Sequence, residues 1–322
     1  RLTNYTCGEN SEQYEYNVYG QLIRKTLSGA VNRTYNYVYK DDAKSFDYTA
    51  TGEYKFKPLT DVNGRNTGKE IHNATGKIAA EYISYRKVGD RATNMPSSVW
   101  YATGQEIKEN IGYTYDKCGN ISEIKENGAL AVRYTYDGLN RLTREDNKKS
   151  GKTYLFDYDN NGNIISRRTT AFTLKSDIEE CAFTAYEYGY NGDRLVSYNG
   201  ESFAYNSIGN PTVYRGKTAE WQYGNRLVKL GETTFVYDGH GRRIKKGETE
   251  FIYDSDGRLI AQSNGLEFIY DNSGIVGVRY EEEQYFYRRD IQGNITAILD
   301  NSGAVVVRYN YDAWGNHTVV NA

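Results

Sequence analysis

The 322 residues carry 40 Lys and Arg against 42 Asp and Glu, a net charge of -2, with 33 Tyr, 32 Gly and 38% hydrophobic residues. No polycation is available to grip nucleic acid through counterion release, and no apolar stretch approaches the ~20 residues of a membrane helix. Aromatic surface and turn chemistry take the place of aliphatic core, which disfavours a compact α/β enzyme and favours a thin, extended sheet.

In chain order, residues 1–110 keep a Tyr, Thr and Gly texture, with one degenerate phrase at Tyr16-Asn17-Val-Tyr-Gly20-Gln21-Leu22. From 111 to 284 the phrase becomes clean: aromatic, any residue, Tyr, Asp or Asn, two residues, Gly, Asn or Arg, then Ile or Leu. It runs Tyr113-Thr-Tyr115-Asp116-Lys-Cys-Gly119-Asn120-Ile121, then Tyr134-Thr-Tyr136-Asp137-Gly-Leu-Asn140-Arg141-Leu142, then Phe156-Asp-Tyr158-Asp159-Asn-Asn-Gly162-Asn163-Ile164. Tyr205 and Gly209, Tyr237-Asp238 and Gly241, Tyr253-Asp254 and Gly257, and Tyr270-Asp271 and Gly274 continue it. Shortened copies occur at Tyr190-Asn191-Gly192-Asp193-Arg194-Leu195 and Tyr223-Gly224-Asn225-Arg226-Leu227. Residues 285–322 hold a denser variant, with Tyr287, Asp290 and Gly293 followed by Tyr311, Asp312 and Gly315.

Each part has a mechanical meaning. Phe-x-Tyr puts two aromatics on one face of a strand. Asp-x-x-Gly is a turn in which Asp suits the first position and Gly accepts positive φ. Asn140, in the Gly slot of one copy, is the other residue that visits that region cheaply. The unit is a hairpin, and near-absence of Pro (three) suits a continuous ladder. Stacked hairpins are expected to set equivalent Tyr rings side by side, and the repeat Asp to cap its own turn rather than do chemistry.

These residues resemble the YD repeat of Rhs proteins, wall-associated bacterial relatives, toxin-complex shell subunits and teneurins. The stretch from Tyr285 to Asn316 is similar to the opening of the Rhs repeat-associated core. The resemblance implies an all-β, repeat-built, spiralling antiparallel β-sheet, a YD-repeat β-shell segment. It implies partners of two kinds: adjoining shell segments, and an encapsulated C-terminal toxin or effector polypeptide. It also implies a secreted or cell-surface bacterial setting. The family's Asp-Pro autocleavage segment has no counterpart, since Pro58, Pro96 and Pro211 follow Lys57, Met95 and Asn210. The chain reads as a segment excised from something longer, its targeting signal lying outside it.

Candidate chemistry is sparse. Ser202 in Gly200-Glu-Ser-Phe-Ala204 falls short of a nucleophile elbow and occupies an interchangeable repeat slot. His72, His240 and His317 are scattered. Asp157-Tyr-Asp159-Asn-Asn161-Gly162 starts like a calcium loop, but Arg168 stands where the bidentate Glu belongs; Asp254-Ser-Asp256-Gly257 is similarly partial. Gly239-His-Gly241 lacks a third Gly for a dinucleotide loop. The run Arg242, Arg243, Lys245 and Lys246 reads as solvated strand positions. Cys7, Cys118 and Cys181 fit neither a metal pattern nor a disulfide framework. The expectation is therefore no catalytic residue, metal or cofactor, and no nucleic-acid partner. The competing reading is a surface carbohydrate-binding or adhesion module, with Trp100, Trp221 and Trp314 as platforms outside any common repeat slot.

Overall fold

A computed structural model describes residues 1–41, 45–89, 91–178 and 182–321. Among these residues every regular element is a strand, gathered into an 18-stranded and a 14-stranded sheet. Pairing is antiparallel between sequence neighbours, as where Thr233–Tyr237 meets Arg243–Lys246. The all-β hairpin architecture expected from the repeat is the one observed. Cys7 and Cys118 are free and exposed; Cys181 lies outside the described residues.

The chain divides into two compact units, Arg1–Gly112 with Phe251–Tyr309 and Val319–Ala322, and Tyr113–Glu250 with Asn310–Thr318. In the first, strands Tyr54–Thr60, Asn66–Asn73 and Gly76–Val88 pack against Glu267–Asp271, Gly274–Tyr280, Glu283–Arg289 and Ile295–Leu299. Phe56, Ile269, Phe286 and Ala297 are fully buried between them, joined by Ile71, Ala79, Val276 and Leu299. Phe286 meets Tyr54 and Phe56 edge-on at 5.1 and 5.8 Å. Each of the Phe, Ile, Leu and Val side chains contributes about 1.5–3 kcal/mol on burial. Composition alone points to a thin sheet, and this unit corrects it: the few aliphatics of seven strands gather into one core. Backbones approach closely at Gly303, where a Cβ would lie 2.2 Å from the Ile78 carbonyl oxygen.

The second unit buries a different mixture. Tyr113, Phe156, Phe203 and Phe235, the first aromatic of four of the phrases, are all under 9% exposed, while the residue after each is exposed. Beside them Glu145, Asp146, Asn147 and Thr153 are almost fully enclosed. The Asp146 carboxylate accepts from Arg144 Nε at 2.8 Å and Thr153 Oγ1 at 2.9 Å. Glu145 accepts from the Asn147 amide at 2.8 Å and the Ala313 backbone N–H at 3.0 Å, and Asn147 also donates to the Tyr311 carbonyl. The returning 310–318 segment is thus held by polar side chains, each with a partner, as burial requires.

Burial pushes the Glu145 carboxyl up to about 7, against the pull of the Ala313 and Asn147 hydrogen bonds, with Asp312 and Asp146 adding repulsion. Its folded-state value lies above the unfolded 4.5, so the native state binds the extra proton. Glu145 therefore stabilises most below pH 4.5, and that contribution is lost as pH rises through about 7. Glu145→Gln should remove this limb. Urea midpoints at pH 5 and pH 8 should show the variant gaining on the parent as pH rises; a pH-independent difference would contradict the assignment.

Candidate functional site

The recurring site is the hairpin turn. In the Asp137 turn the Asp137 N–H donates to the Arg141 carbonyl and the Asn140 N–H to the Asp137 carbonyl. One carboxylate oxygen of Asp137 accepts the Leu139 and Arg141 N–H groups at 2.9 and 3.0 Å; the other accepts Arg141 Nε at 2.7 Å. Asp116, Asp159, Asp238, Asp290 and Asp312 repeat the pattern, Asn replacing Arg as donor in four of them. The alternation of Asn and Arg in the phrase follows, since either presents an N–H to the same carboxylate oxygen. The fourth position closes at φ 89, 62 and 90° in Gly119, Asn140 and Gly162, and likewise at positive φ in Gly209, Gly241, Gly257, Gly293 and Gly315. Hydrogen bonds from Asn120 and Asn163 hold Asp116 and Asp159 below the usual carboxylate range; at Asp137 the Arg141 backbone N–H does so first.

Just before the turn the ladder slips. Tyr136 faces Leu142 while Thr135 faces Arg144, and equivalent bulges fall at Tyr16, Tyr158, Tyr205, Tyr237, Tyr253 and Tyr270. A bulge interrupts pairing and sharpens local twist. The carbonyl beside it, at the start of the return strand, takes a donor from the next hairpin. Tyr136 Oη donates to Ile121 at 2.9 Å, Tyr158 to Leu142 at 2.7 Å, Tyr190 to Ile164 at 3.0 Å, Tyr205 to Leu195 at 2.7 Å and Tyr237 to Leu227 at 3.0 Å. In the first unit Tyr39 reaches Leu22 and Tyr270 reaches Leu259. Each tyrosine is a latch onto the preceding hairpin.

This geometry revises the sequence reading in several places. The rings of Tyr158, Tyr205 and Tyr270 take the guanidinium of the preceding turn, Arg141, Arg194 or Arg258, at 4.8–5.6 Å, rather than another repeat tyrosine. Trp221 does share the repeat slot: its indole Nε1–H donates to the Pro211 carbonyl at 2.6 Å beside a bulge. Tyr287 stands two residues early. The slot before Asp290 belongs to Arg289, whose guanidinium reaches the Ile275 carbonyl at 3.5 Å, and Tyr287 instead faces Ile298 within its strand. Asp271 and Gly274 face each other across a two-residue loop, with Asp271 buried and ion-paired to Lys69 at 3.0 Å. Tyr115 ends its strand ahead of the Asp116 turn, and Tyr311 ends Val305–Tyr311 ahead of the Asp312 turn. The Asp61-Val-Asn-Gly64-Arg65 turn, with Thr60 in place of Tyr, is a full copy that the missing aromatic concealed.

Other singled-out residues have structural partners. Asp159 caps its own turn and Asp157 pairs with Arg168 at 3.4 Å. Asp254 and Asp256 grip the buried Lys25 ammonium at 2.7 and 3.2 Å, with Glu12 at 3.1 Å. Burial alone would lower that lysine, but the Asp254 hydrogen bond and the carboxylates of Asp254 and Glu12 outweigh it and hold it above the ordinary lysine value. His72 pairs with Glu70 at 3.0 Å, His240 is exposed in its turn, and Ser202 is exposed on a two-residue strand. In the first unit a cavity of about 440 Å³ sets Arg288, Arg289 and Arg308 around an aliphatic floor. Glu109 bridges Arg288 and Arg308 at 2.7 and 2.9 Å; burial would raise it, but the two arginines hold it low.

Hairpins latched in series through antiparallel sheets define a repeat-built β-shell segment. Residues 186–321 match the Teneurin YD-shell family model. The chain is 30% identical over 227 residues to the tRNA3(Ser)-specific nuclease WapA of Bacillus spizizenii, which takes in 66% of this chain and 8% of that protein. It is 24% identical over 201 residues to toxin protein Tse5 of Pseudomonas aeruginosa, 60% of this chain and 13% of that one. Among solved structures it superposes on the Photorhabdus luminescens Tc holotoxin pore with TM-score 0.66 at 12% identity, over 97% of this chain and 18% of the other. It also superposes on TcdB2-TccC3, with TM-score 0.54 at 12% identity, over 97% and 21%. These sequence matches support an Rhs/YD-repeat shell protein, and the superpositions show its fold. The chain spans about a tenth of the length of the curated relatives it matches.

Two substitutions separate the parts of the site. Tyr158→Phe leaves the ring and removes only the hydroxyl donor to Leu142, so it should cost about 0.5–1.5 kcal/mol. Gly162→Ala meets nothing within 4 Å and sits at positive φ, so its cost of about 1–2 kcal/mol is purely conformational. Gly162→Asn should cost less, as Asn140 already fills that slot. Chemical denaturation of the three variants checks the order; Gly162→Asn proving as costly as Gly162→Ala would refute the backbone explanation.

Proposed function

We propose that this chain is a non-enzymatic wall segment of an Rhs/YD-repeat shell that encloses a C-terminal polymorphic toxin or effector for secretion and interbacterial competition. The observation that carries the reading is the latch. Tyrosine after tyrosine is committed to a carbonyl of the preceding hairpin, and the turn carboxylates are committed to their own backbone. The repeat residues therefore serve as joints, from Tyr115, Asp116 and Gly119 through Tyr311, Asp312 and Gly315. Adjoining shell segments and the enclosed polypeptide are the partners in this reading, and the setting is secreted or at a bacterial cell surface. Residues 1–110 would form a less regular wall, 111–284 the regular array, and 285–322 the opening of the repeat-associated core. Similarity to the toxin Tse5 and to the Tc holotoxin supports a toxin context, while the nuclease WapA is a protein of which this chain matches a small part.

Limited proteolysis of the longest natural chain carrying this segment tests the proposal. The polypeptide after the core should resist protease while the shell is intact, and deleting one sixteen-residue repeat, 238–253, should expose it. A C-terminal region cut equally fast with and without the deletion would sink the reading.

A further inference from the structure

A second cavity, of about 530 Å³, lies within the second unit and is walled mainly by rings that are not repeat latches. Its size falls in the ~300–1,000 Å³ range of small-ligand sites. Tyr186 and Tyr198 lie nearly parallel, 8° apart, with Tyr188 tilted against Tyr198 at 4.8 Å. Trp314 packs edge-on against Phe156 at 5.5 Å yet keeps 51% of its surface exposed, and Tyr214 keeps 43%. Large aromatic faces left open beside a cavity differ from the repeat tyrosines, which are half-buried and engaged.

Charge at this cavity is unbalanced. The Arg167 guanidinium is half-buried, lies 4.1 Å over the Tyr186 ring, and among the described residues makes one hydrogen bond, from Nη2 to Tyr198 Oη at 3.4 Å. Its Nε is buried without a partner, and among the described residues it has no carboxylate to pair with. Lys152 and Arg215 line the same cavity, also without carboxylate partners among the described residues. The one carboxylate among the described lining residues, Asp312, has its oxygens engaged by the Trp314 and Asn316 N–H groups and the Asn316 amide. A half-buried guanidinium with unused donors is costly to desolvate and favours an anion.

We propose that this cavity binds an acidic saccharide of the uronate type. The carboxylate would pair with Arg167 in forked geometry, with Lys152 and Arg215 adding attraction. The C–H faces of successive sugar rings would pack on the tyrosine layer and on Trp314. The side-chain amide oxygen of Asn316, whose NH2 is turned to Asp312, would accept a sugar hydroxyl. A nucleotide fits less well, because a single base would use one aromatic pair and leave the others idle. The proposal is independent of whether the shell encloses any passenger.

The test is calorimetric titration of the full chain with a hyaluronan tetrasaccharide, cellotetraose and AMP. The uronate oligosaccharide should bind about tenfold more tightly than the neutral one, a preference that added salt erodes. Arg167→Gln should weaken it about tenfold, the loss of one charge-assisted contact. Arg215→Glu, on an exposed residue outside the packed interior, should weaken it too and carries the test should Arg167→Gln misfold. Absence of saccharide binding, tighter binding of AMP, or affinity unchanged in Arg215→Glu would each overturn the proposal.

Discussion

One hydrogen bond organises the repeat: a tyrosine hydroxyl donating to the carbonyl that opens the preceding hairpin's return strand. The bulge comes first in the causal order. It interrupts the ladder beside that carbonyl, and buried backbone acceptors must find donors. A phenol at the end of the following strand is long enough to reach across and aromatic enough to pack on the way. Trp221 and Arg289 show that the geometry matters more than the residue type, since an indole N–H and a guanidinium reach equivalent carbonyls. No single latch contributes much. Their effect comes from recurrence.

The turn supplies the second half of the mechanism. Its carboxylate collects two backbone N–H groups and one side-chain N–H, so a charged group sits at the surface with its acceptors engaged. Where the side-chain donor is Arg141, the guanidinium goes further: Nη1 donates to the Asp159 carbonyl at 2.9 Å and the plane covers the Tyr158 ring. Cap, latch and cover therefore link one turn to the next. In the first unit the same phrase is put to another use, since Asp254 closes its turn and also neutralises a buried lysine.

Much of this was legible in the sequence, for a physical reason. Period-2 aromatics and the Asp-x-x-Gly phrase are local signals, and local signals specify hairpins well. The turn residues, the strand direction and the sequential pairing all follow from them. What escaped is what depends on partners far away in the chain. Nothing around Lys25 announces that residues 254–256 will close over it, and nothing in Glu145 or Asn147 marks them as interior. The tyrosine hydroxyl was overlooked because its ring already had an explanation in packing. Tyr287 was misplaced because spacing alone cannot tell a strand's last residue from one two positions earlier. The Asp61 turn is hidden in the sequence because Thr60 stands where other copies carry an aromatic.

The latch also has a direction. Every donor belongs to the later hairpin and every acceptor to the earlier one, so a nascent chain leaving the ribosome completes each finished piece with the next to emerge. Contacts of this nearest-neighbour kind form quickly and require no distant segment to wait. They also make the sixteen-residue step an interchangeable module: duplicating or losing a whole step brings a new phenol to an old carbonyl in the same register. A gene encoding such a wall can lengthen or shorten by recombination between its own repeats without redesigning any joint.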